Sequence, residues 1–384
     1  MTFFGDFTFF GWLLLALLPA VLLGILEKPL RYYTLFLSAA FITAVLKDTP
    51  LQLLYLALFV LVEIAVVRIY LYLRTAFGRK AWIYHSFVFL TILPLVVNKV
   101  SGVFKLSWLG FLGISYLTFR VVQIVIEIYD GVIHEVPLPE TLSFLLFFPS
   151  VSSGPIDRSR RYHEDYVKVW TRSEYLDLLG DGLMKILLGM VYKFILAGAF
   201  GNWMDSAAYG TAWYANIGYA YCYGLHMFFD FAGYSLMAVG TGYLLGVRVP
   251  DNFRYPFISK DIKDFWDRWH ITLSHWFRDF IFSRFMMTCI RKKWFKTRLT
   301  GAAVAFLVNM LVMGCWHGLT PSYILYGLYH GTLLAGTEIY QKKSKFYKKY
   351  KKQQWYQAVS WFVTMQAVMF GFYIFSGRFL LMLH

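Results

Sequence analysis

Residues 251–280 read DNFRYPFISKDIKDFWDRWHITLSHWFRDF and residues 314–318 read GCWHG, and together they mark the most polar part of an otherwise apolar chain. On a helix at about 100° per residue, His270 lies on the apolar side of the segment 261–283. The apolar side chains within roughly 60° of it are Trp266, Leu273, Phe277 and Ile281. The sequence therefore predicts an amphipathic helix over 261–283 whose apolar face carries a titratable imidazole.

Spacing alone leaves two interpretations of His270 open. It is either a core histidine bonded to a backbone carbonyl or a functional group, because an ionisable side chain at membrane depth is costly. His317, inside GCWHG, is the second histidine that this stretch singles out.

The surrounding composition is that of a membrane protein. Of 384 residues, 58% are hydrophobic and 15% charged, whereas soluble domains carry about 25% charged residues. Several continuous apolar runs reach the ~20 residues that cross a bilayer as a helix. We expect an all-α polytopic protein of the cell membrane, with a single integral domain over 1–384. Its parts are N-terminal spans at 1–106, a core at 107–340, and a basic loop with the last span at 341–384.

About eleven membrane segments are expected from the apolar runs. They are 7–27, 31–46, 51–73, 84–98, 107–129, 177–200, two within 213–247, 300–317, 322–340 and 355–382. The first has no basic leader and no cleavage site, so we expect it to be retained.

Polar residues interrupt several of these segments. The apolar run within 142–166 stops at Pro149 and is too short to span, which predicts a re-entrant or interfacial segment. Arg120, Gln123 and Glu127 share one helix face, and we favour a structural ion-pair network there.

Two further features of the apolar segments have structural interpretations. We expect Asp230 to cap the helix that follows it. The glycines of GTGYLLG, at 240–246, are expected to allow close helix packing rather than nucleotide binding.

The net charge is +15. Two basic clusters, at 291–298 and 342–352, flank one out-and-back pair of spans, so both lie on one side, which the charge rule makes cytoplasmic. His317 is then about 27 Å of helix from Leu299, towards the outer face. Anionic lipid is an expected partner and nucleic acid is not. The three cysteines have no paired spacing, which favours neither disulfides nor a metal site.

Several common catalytic motifs are absent from the sequence, which leaves proton transfer by histidine as the expected chemistry. The sequence has no G-x-S-x-G elbow, no H-E-x-x-H pair and no phosphate-binding loop. His270 and His275 are about 140° apart on a helix, which excludes a shared metal. Histidine has an unperturbed pKa of about 6.5, suited to a general acid or base.

Four motifs resemble the membrane-bound O-acyltransferase family: SSGPIDR (152–158), FFDFAGYS (228–235), the run at 252–280, and MGCWHG (313–318). Within that family, the similarity is greatest to the members that act in teichoic acid D-alanylation. The resemblance implies a ring of tilted helices, with re-entrant and amphipathic helices around a thin centre and funnels from both faces.

The resemblance also implies the reaction. A D-alanyl group would arrive from the cytoplasm as a thioester on the phosphopantetheine of a small carrier protein, with no cofactor or metal bound by the chain itself. It would pass to a hydroxyl on the outer side, leading to lipoteichoic acid, with a small membrane helper protein as a possible partner. His317 corresponds to the family's invariant histidine, the general base, and His270 to its second site position, which orients the thioester or His317.

The other site residues also follow from the matched motifs. Substrate contacts are expected at Ser153, Gly154, Pro155, Trp266, Trp269, Arg278 and Trp316. Carrier docking is expected at Met286, Met287, Arg291, Lys292 and Lys293, where methionines would give an adaptable contact and cations would steer an acidic protein. Lipid-facing methionines and head-group-facing lysines explain the same docking residues equally well.

Two other functions remain open at this stage. Buried histidines and broken segments also suit a transporter or flippase of a cell-wall intermediate, although the sequence shows no inverted repeat. A non-catalytic scaffold for wall synthesis is the third possibility.

Overall fold

The computed structural model describes residues 1–106, 108–208, 210 and 213–382. Every regular element among them is helical, which confirms the all-α class. The helices are α1 (Phe7–Ile25), α2 (Arg31–Leu46), α3 (Pro50–Phe77), α4 (Ala81–Val103), α5 (Ile114–Asp130), α6 (Leu138–Leu145), α7 (Ser159–Val167), α8 (Arg172–Met190), α9 (Ala197–Ala208), α10 (Trp213–Leu244), α11 (Ile262–Trp266), α12 (Ile271–Phe277), α13 (Ser283–Lys292), α14 (Arg298–His317), α15 (Pro321–Lys343), α16 (Lys345–Tyr350), α17 (Gln354–Phe375) and α18 (Arg378–Leu381). Ser107, with which the predicted span 107–129 begins, lies outside the described residues.

Six helical stretches of the described chain are long and apolar enough to cross a membrane. They are Phe7–Ile25, Pro50–Phe77, Ala81–Val103, Arg172–Ala208, Arg298–His317 and Gln354–Phe375. The expected multi-pass membrane protein is confirmed, while the number eleven stays a prediction.

The chain divides into two compact units. The first unit holds residues 1–190 and 234–251, and the second unit holds residues 191–233 and 252–384.

In the first unit, α5 is buried on nearly all sides. The Arg120 guanidinium donates to the carbonyl oxygens of Phe144 (2.6 Å) and Leu145 (2.8 Å), at the end of α6, and to Ser150 Oγ (2.7 Å). These bonds satisfy carbonyls that a helix terminus leaves without intrahelical partners. The expected inward face is present, but Arg120 donates to backbone carbonyls and to the Ser150 hydroxyl rather than to a carboxylate.

The predicted break within 142–166 is present, while its re-entrant or interfacial placement stays a prediction. The eight-residue helix α6 is followed by a 3₁₀ turn at Phe148–Ser150 and then by α7. Phe147, Phe148 and Pro149 are buried, as irregular backbone inside a membrane protein must be.

Helix α10 corrects two expectations. Residues 213–247 were expected to hold two spans, but Trp213–Leu244 is one continuous helix of 32 residues. Asp230 lies inside it and caps no helix; its carboxylate forms an ion pair with Lys193 Nζ. Close packing at Gly240 is confirmed, since a Cβ atom there would lie 2.4 Å from the carbonyl oxygen of Gly182.

In the second unit, the single amphipathic helix expected over 261–283 is wrong. The chain forms the short helices α11 and α12, then a π-helical turn at Arg278–Phe282 before α13. The break comes at His270, whose φ of 44° lies in the left-handed region. The expected burial of His270 among apolar side chains is nevertheless present, because Trp266, Leu273 and Phe277 are buried with it.

Helices α14 and α15 form a tight hairpin. A Cβ atom at Gly314 would lie 2.4 Å from the carbonyl oxygen of Tyr323, and one at Gly327 would lie 2.5 Å from that of Met310. Small residues at such crossings let two helix backbones approach closely. The hairpin places His317 at the end of α14, beside the turn at 318–320.

Candidate active site

The backbone around His270 is held in place by hydrogen bonds to the segment at residues 252–254. Residues 252–254 run beside residues 268–271: Ile271 N donates to Asn252 O (2.8 Å) and Arg254 N donates to Arg268 O (3.0 Å). Asn252 Oδ1 also accepts from Thr272 Oγ1 (2.9 Å). Left-handed backbone at a non-glycine residue is uncommon and persists only where the surroundings determine it.

The imidazole of His270 lies in an apolar setting. Its side chain is 4% exposed, and its ring lies 4.7 Å from the ring of Phe231. Burial lowers the pKa of His270, and electrostatic repulsion between the His270 and His317 imidazoles lowers it further. His270 is therefore suited to act as a neutral imidazole that orients a neighbour.

His317 is surrounded by aromatic rings but remains half-buried. Its ring lies 4.5 Å from that of Trp316, 4.9 Å from that of Phe375 and 5.9 Å from that of Tyr323. Gly318 is needed next to it, because a Cβ atom there would lie 2.7 Å from the Tyr323 ring. The structure thus brings His270 and His317 within electrostatic range of each other on the second unit.

The tryptophans and the arginine expected to contact substrate divide into three settings. Trp266 and Arg278 line one cavity of about 250 Å³ in the second unit. Trp316 adjoins His317. Trp269 is 5% exposed and packs against an aromatic cluster, a setting that favours a structural role; its partners are Phe228, Phe253, Phe265 and Phe372.

Ser153, Gly154 and Pro155 lie in the first unit, in the loop that precedes α7. Gly154 has a φ of +80°, and a Cβ atom there would lie 2.9 Å from the Tyr116 ring, so this position requires glycine. The neighbouring Ser152 Oγ lies 2.8 Å from Tyr234 Oη, which ties the loop to α10.

The residues expected to dock a carrier gather around α13. Arg291, Lys292 and Lys293 are exposed, Met287 is 60% exposed, and Met286 is half-buried. Met286 and Lys293 line a groove of about 420 Å³ whose apolar part includes Ile290, Trp294 and Phe295. This surface, the α13 groove, combines apolar and cationic groups.

Asn252 is a site residue that sequence reasoning missed. It stands in the motif quoted at 252–280, and the one signal in the sequence is that asparagine side chains often bond to nearby backbone groups. Its bonds to Ile271 and Thr272 became visible only when the chain folded back on itself.

Among the residues that the structure describes, no group of three or more histidine, cysteine and acidic side chains could hold a metal ion.

Comparison with known proteins gives a consistent result along nearly the whole chain. The family described as MBOAT, membrane-bound O-acyltransferase, matches residues 31–383. The teichoic acid D-alanyltransferase of Bacillus subtilis is 40% identical over 98% of this chain and 98% of its own length. That of Streptococcus thermophilus is 40% identical over 97% and 94%, respectively. The probable alginate O-acetylase AlgI of Pseudomonas aeruginosa is 31% identical over 58% of this chain and 42% of its own.

Proposed function

We propose, from the premise that this chain belongs to the membrane-bound O-acyltransferase family, that it transfers a D-alanyl group to a hydroxyl group of a teichoic acid. The observation that carries this is the similarity to teichoic acid D-alanyltransferases over almost the full length of both chains. The chain is a multi-pass membrane acyltransferase.

His317 is the proposed general base. It removes the proton of the acceptor hydroxyl while that oxygen attacks the carbonyl carbon of a D-alanyl thioester. The new C–O ester bond forms, the C–S bond breaks, and the leaving thiolate takes the proton from the His317 imidazolium. Its half-buried position next to aromatic rings supports this role, because a histidine sealed in packing would be out of reach of two substrates.

His270 is proposed to orient the thioester or His317. Its lowered pKa keeps it neutral, so it can donate and accept one hydrogen bond without competing for the proton. The left-handed backbone and the bonds to Asn252 support a fixed rather than a mobile role.

The proposed donor is a D-alanyl thioester on the phosphopantetheine of a small carrier protein, which docks at the α13 groove from the cytoplasm. The exposed cations and Met287 support this, because an acidic protein would be steered by the charges and held by the apolar part. The acceptor lies on the outer side and leads to lipoteichoic acid. A small membrane helper protein and anionic lipids are further proposed partners.

The test is transfer in liposomes that contain purified protein, charged carrier and acceptor. His317→Ala should abolish transfer while folding and carrier binding persist. The matched control is His85→Ala, since His85 is an exposed histidine of the first unit. Full activity of His317→Ala would refute the base, and movement of substrate without acyl transfer would favour a transporter.

A further inference from the structure

An ion pair in the second unit has no part in the proposed catalysis. It joins Lys193 Nζ to Oδ1 of Asp230. Lys193 lies in a π-helical turn at Val191–Leu196, directly before α9, and Asp230 lies near the middle of the 32-residue helix α10. Because π-helical turns within longer helices are rare and occur frequently at functional sites, this ion pair is a candidate functional group.

The ion pair lies at membrane depth. Lys193 belongs to the apolar stretch Arg172–Ala208, and Asp230 is about 25 Å along α10 from its start at Trp213. The Lys193 side chain is 18% exposed and that of Asp230 is 44% exposed. Charged side chains within membrane spans almost always face the protein interior or a water-filled cavity, because contact with hydrocarbon is costly. We therefore expect the exposed part of Asp230 to face the interior of the protein.

The turn of α10 that carries Asp230 packs against the segment that holds His270. The Phe231 ring lies 4.7 Å from that of His270, and the Phe228 ring lies 6.0 Å from that of Trp269. Asp230 stands between these two phenylalanines in sequence and is the one acidic residue of α10. This helix thus brings a single carboxylate to the neighbourhood of the candidate active site.

The proposed acyl group requires an anionic partner. A D-alanyl thioester keeps its α-amino group, and terminal α-amino groups have a pKa of about 7.7–8.0, so the acyl group is positively charged at pH 7. Removing such a charge from water is costly unless an opposite charge compensates it. The residues proposed above for catalysis and substrate contact include no carboxylate.

Asp230 has room for a second cation. An ionised carboxylate has two oxygens with about four acceptor positions. Among the described residues, Lys193 donates to Oδ1 and none donates to Oδ2. Lys193 therefore holds the carboxylate in place and leaves one oxygen for a second ammonium group.

We infer that Asp230 binds the ammonium of the D-alanyl group and thereby selects an aminoacyl donor over an uncharged one. The inference rests on the proposed function, in which the acyl group is D-alanine. The α-nitrogen is two bonds from the acyl carbonyl carbon, so its partner must lie near the carbon that is attacked. Because the next residue, Phe231, contacts the His270 ring, Asp230 lies in the neighbourhood that this requires.

The first experiment compares two donors on the same carrier. One is the D-alanyl thioester, and the other is the D-lactyl thioester, which has a hydroxyl in place of the ammonium. Wild-type protein should use the D-alanyl donor with a kcat/KM at least about tenfold higher, as a hydrogen bond to a charged group allows. Asp230→Asn should remove most of that preference by lowering kcat/KM for the D-alanyl donor alone.

Two other aspartates of the second unit provide comparisons. Asp205 is an exposed residue of α9, and Asp205→Asn makes the same chemical change and should keep the donor preference. Asp267 is exposed three residues before His270. Loss of the preference in Asp267→Asn, with the preference kept in Asp230→Asn, would overturn the inference.

A charge exchange distinguishes substrate binding from a structural ion pair. The double variant Lys193→Asp with Asp230→Lys keeps an ion pair but places a cation where the ammonium is expected. Its thermal midpoint should exceed that of Asp230→Lys alone, while its preference for the D-alanyl donor should stay lost. Recovery of the preference together with the midpoint, or an equal loss with both donors in Asp230→Asn, would mean that the ion pair only stabilises the fold.

The same assay separates this inference from the proposed function. Transfer of D-alanine by the wild type with a preference that Asp230→Asn leaves unchanged keeps the function and rejects the role of Asp230. A wild type that transfers the D-lactyl group and not the D-alanyl group rejects both.

Discussion

At the scale of the residue, the backbone of His270 is held in place by hydrogen bonds between its neighbours in sequence and the segment that contains Asn252. Bonds from Ile271 N and Thr272 Oγ1 to Asn252 hold a backbone conformation that an L-residue seldom adopts. The imidazole is thereby placed in an apolar setting within electrostatic range of His317. Such a conformation, kept by several bonds, is typical of positions where geometry matters more than local stability.

The lowered pKa of His270 predicts how stability depends on pH. The unfolded chain takes up a proton near pH 6.5, while the folded chain takes it up only at lower pH. Between those two values the unfolded state binds more protons, so stability is full above about pH 6.5 and falls as the pH is lowered. The loss should approach ~1.4 kcal/mol per pH unit for this one group.

The measurement is the thermal midpoint in detergent from pH 7.5 to pH 5.0 for the wild type and for His270→Gln. The variant should show a shallower decline, because glutamine does not titrate. Parallel curves would mean that folding does not lower the pKa of His270.

At the scale of the element, the hairpin of α14 and α15 depends on glycine. A Cβ atom at Gly327 would lie 2.5 Å from the carbonyl oxygen of Met310, which is backbone and cannot turn aside. Gly327→Ala should therefore separate the two helices and cost about 1–3 kcal/mol. Because His317 ends α14, transfer activity should fall together with the thermal midpoint.

Gly336→Ala is the control for that change. Gly336 lies on the same helix, and a Cβ atom there meets nothing within 4 Å. Alanine should be tolerated at 336 and should even stabilise the helix slightly. Equal effects at both positions would show that helix packing at Gly327 is not the cause.

The helices also show which features could be predicted from the sequence and which could not. Hydropathy placed a span at 300–317, and the helix is Arg298–His317, because burial in lipid depends on composition and length. The break at His270 was missed, since the apolar period continues through 267–270 while the left-handed turn depends on bonds to Asn252. Asp230 was misassigned because its partner, Lys193, is remote in sequence.

At the scale of the whole molecule, the family resemblance predicted more of the candidate site than periodicity did. It pointed to His270 and His317, which the fold brings into the same unit. It did not show which buried polar atoms of the described residues would lack a hydrogen-bond partner, such as Trp266 Nε1 and Asn309 Oδ1. Which polar atoms lack partners is a property of packing and cannot be obtained from the order of residues.

The net charge of +15 raises a question at this same scale: whether a carrier protein is attracted by the molecule as a whole or by the α13 groove. Two exposed lysine pairs allow a matched comparison. Lys292 and Lys293 adjoin the groove, while Lys348 and Lys349 belong to α16, and in each pair one ammonium lies over a neighbouring aromatic ring. Reversing either pair to glutamate changes the net charge by the same amount.

If the groove is the docking surface, reversal of Lys292 and Lys293 should raise the Kd for an acidic carrier about tenfold at about 0.1 M salt, or about 1.4 kcal/mol. Reversal of Lys348 and Lys349 should have a much smaller effect, because charges beyond about 10 Å are screened at 0.1 M salt. The difference between the two variants should shrink as salt is added. Binding by surface plasmon resonance at two ionic strengths decides the matter: equal weakening by both reversals would mean that net charge attracts the carrier and that the α13 groove is not its site.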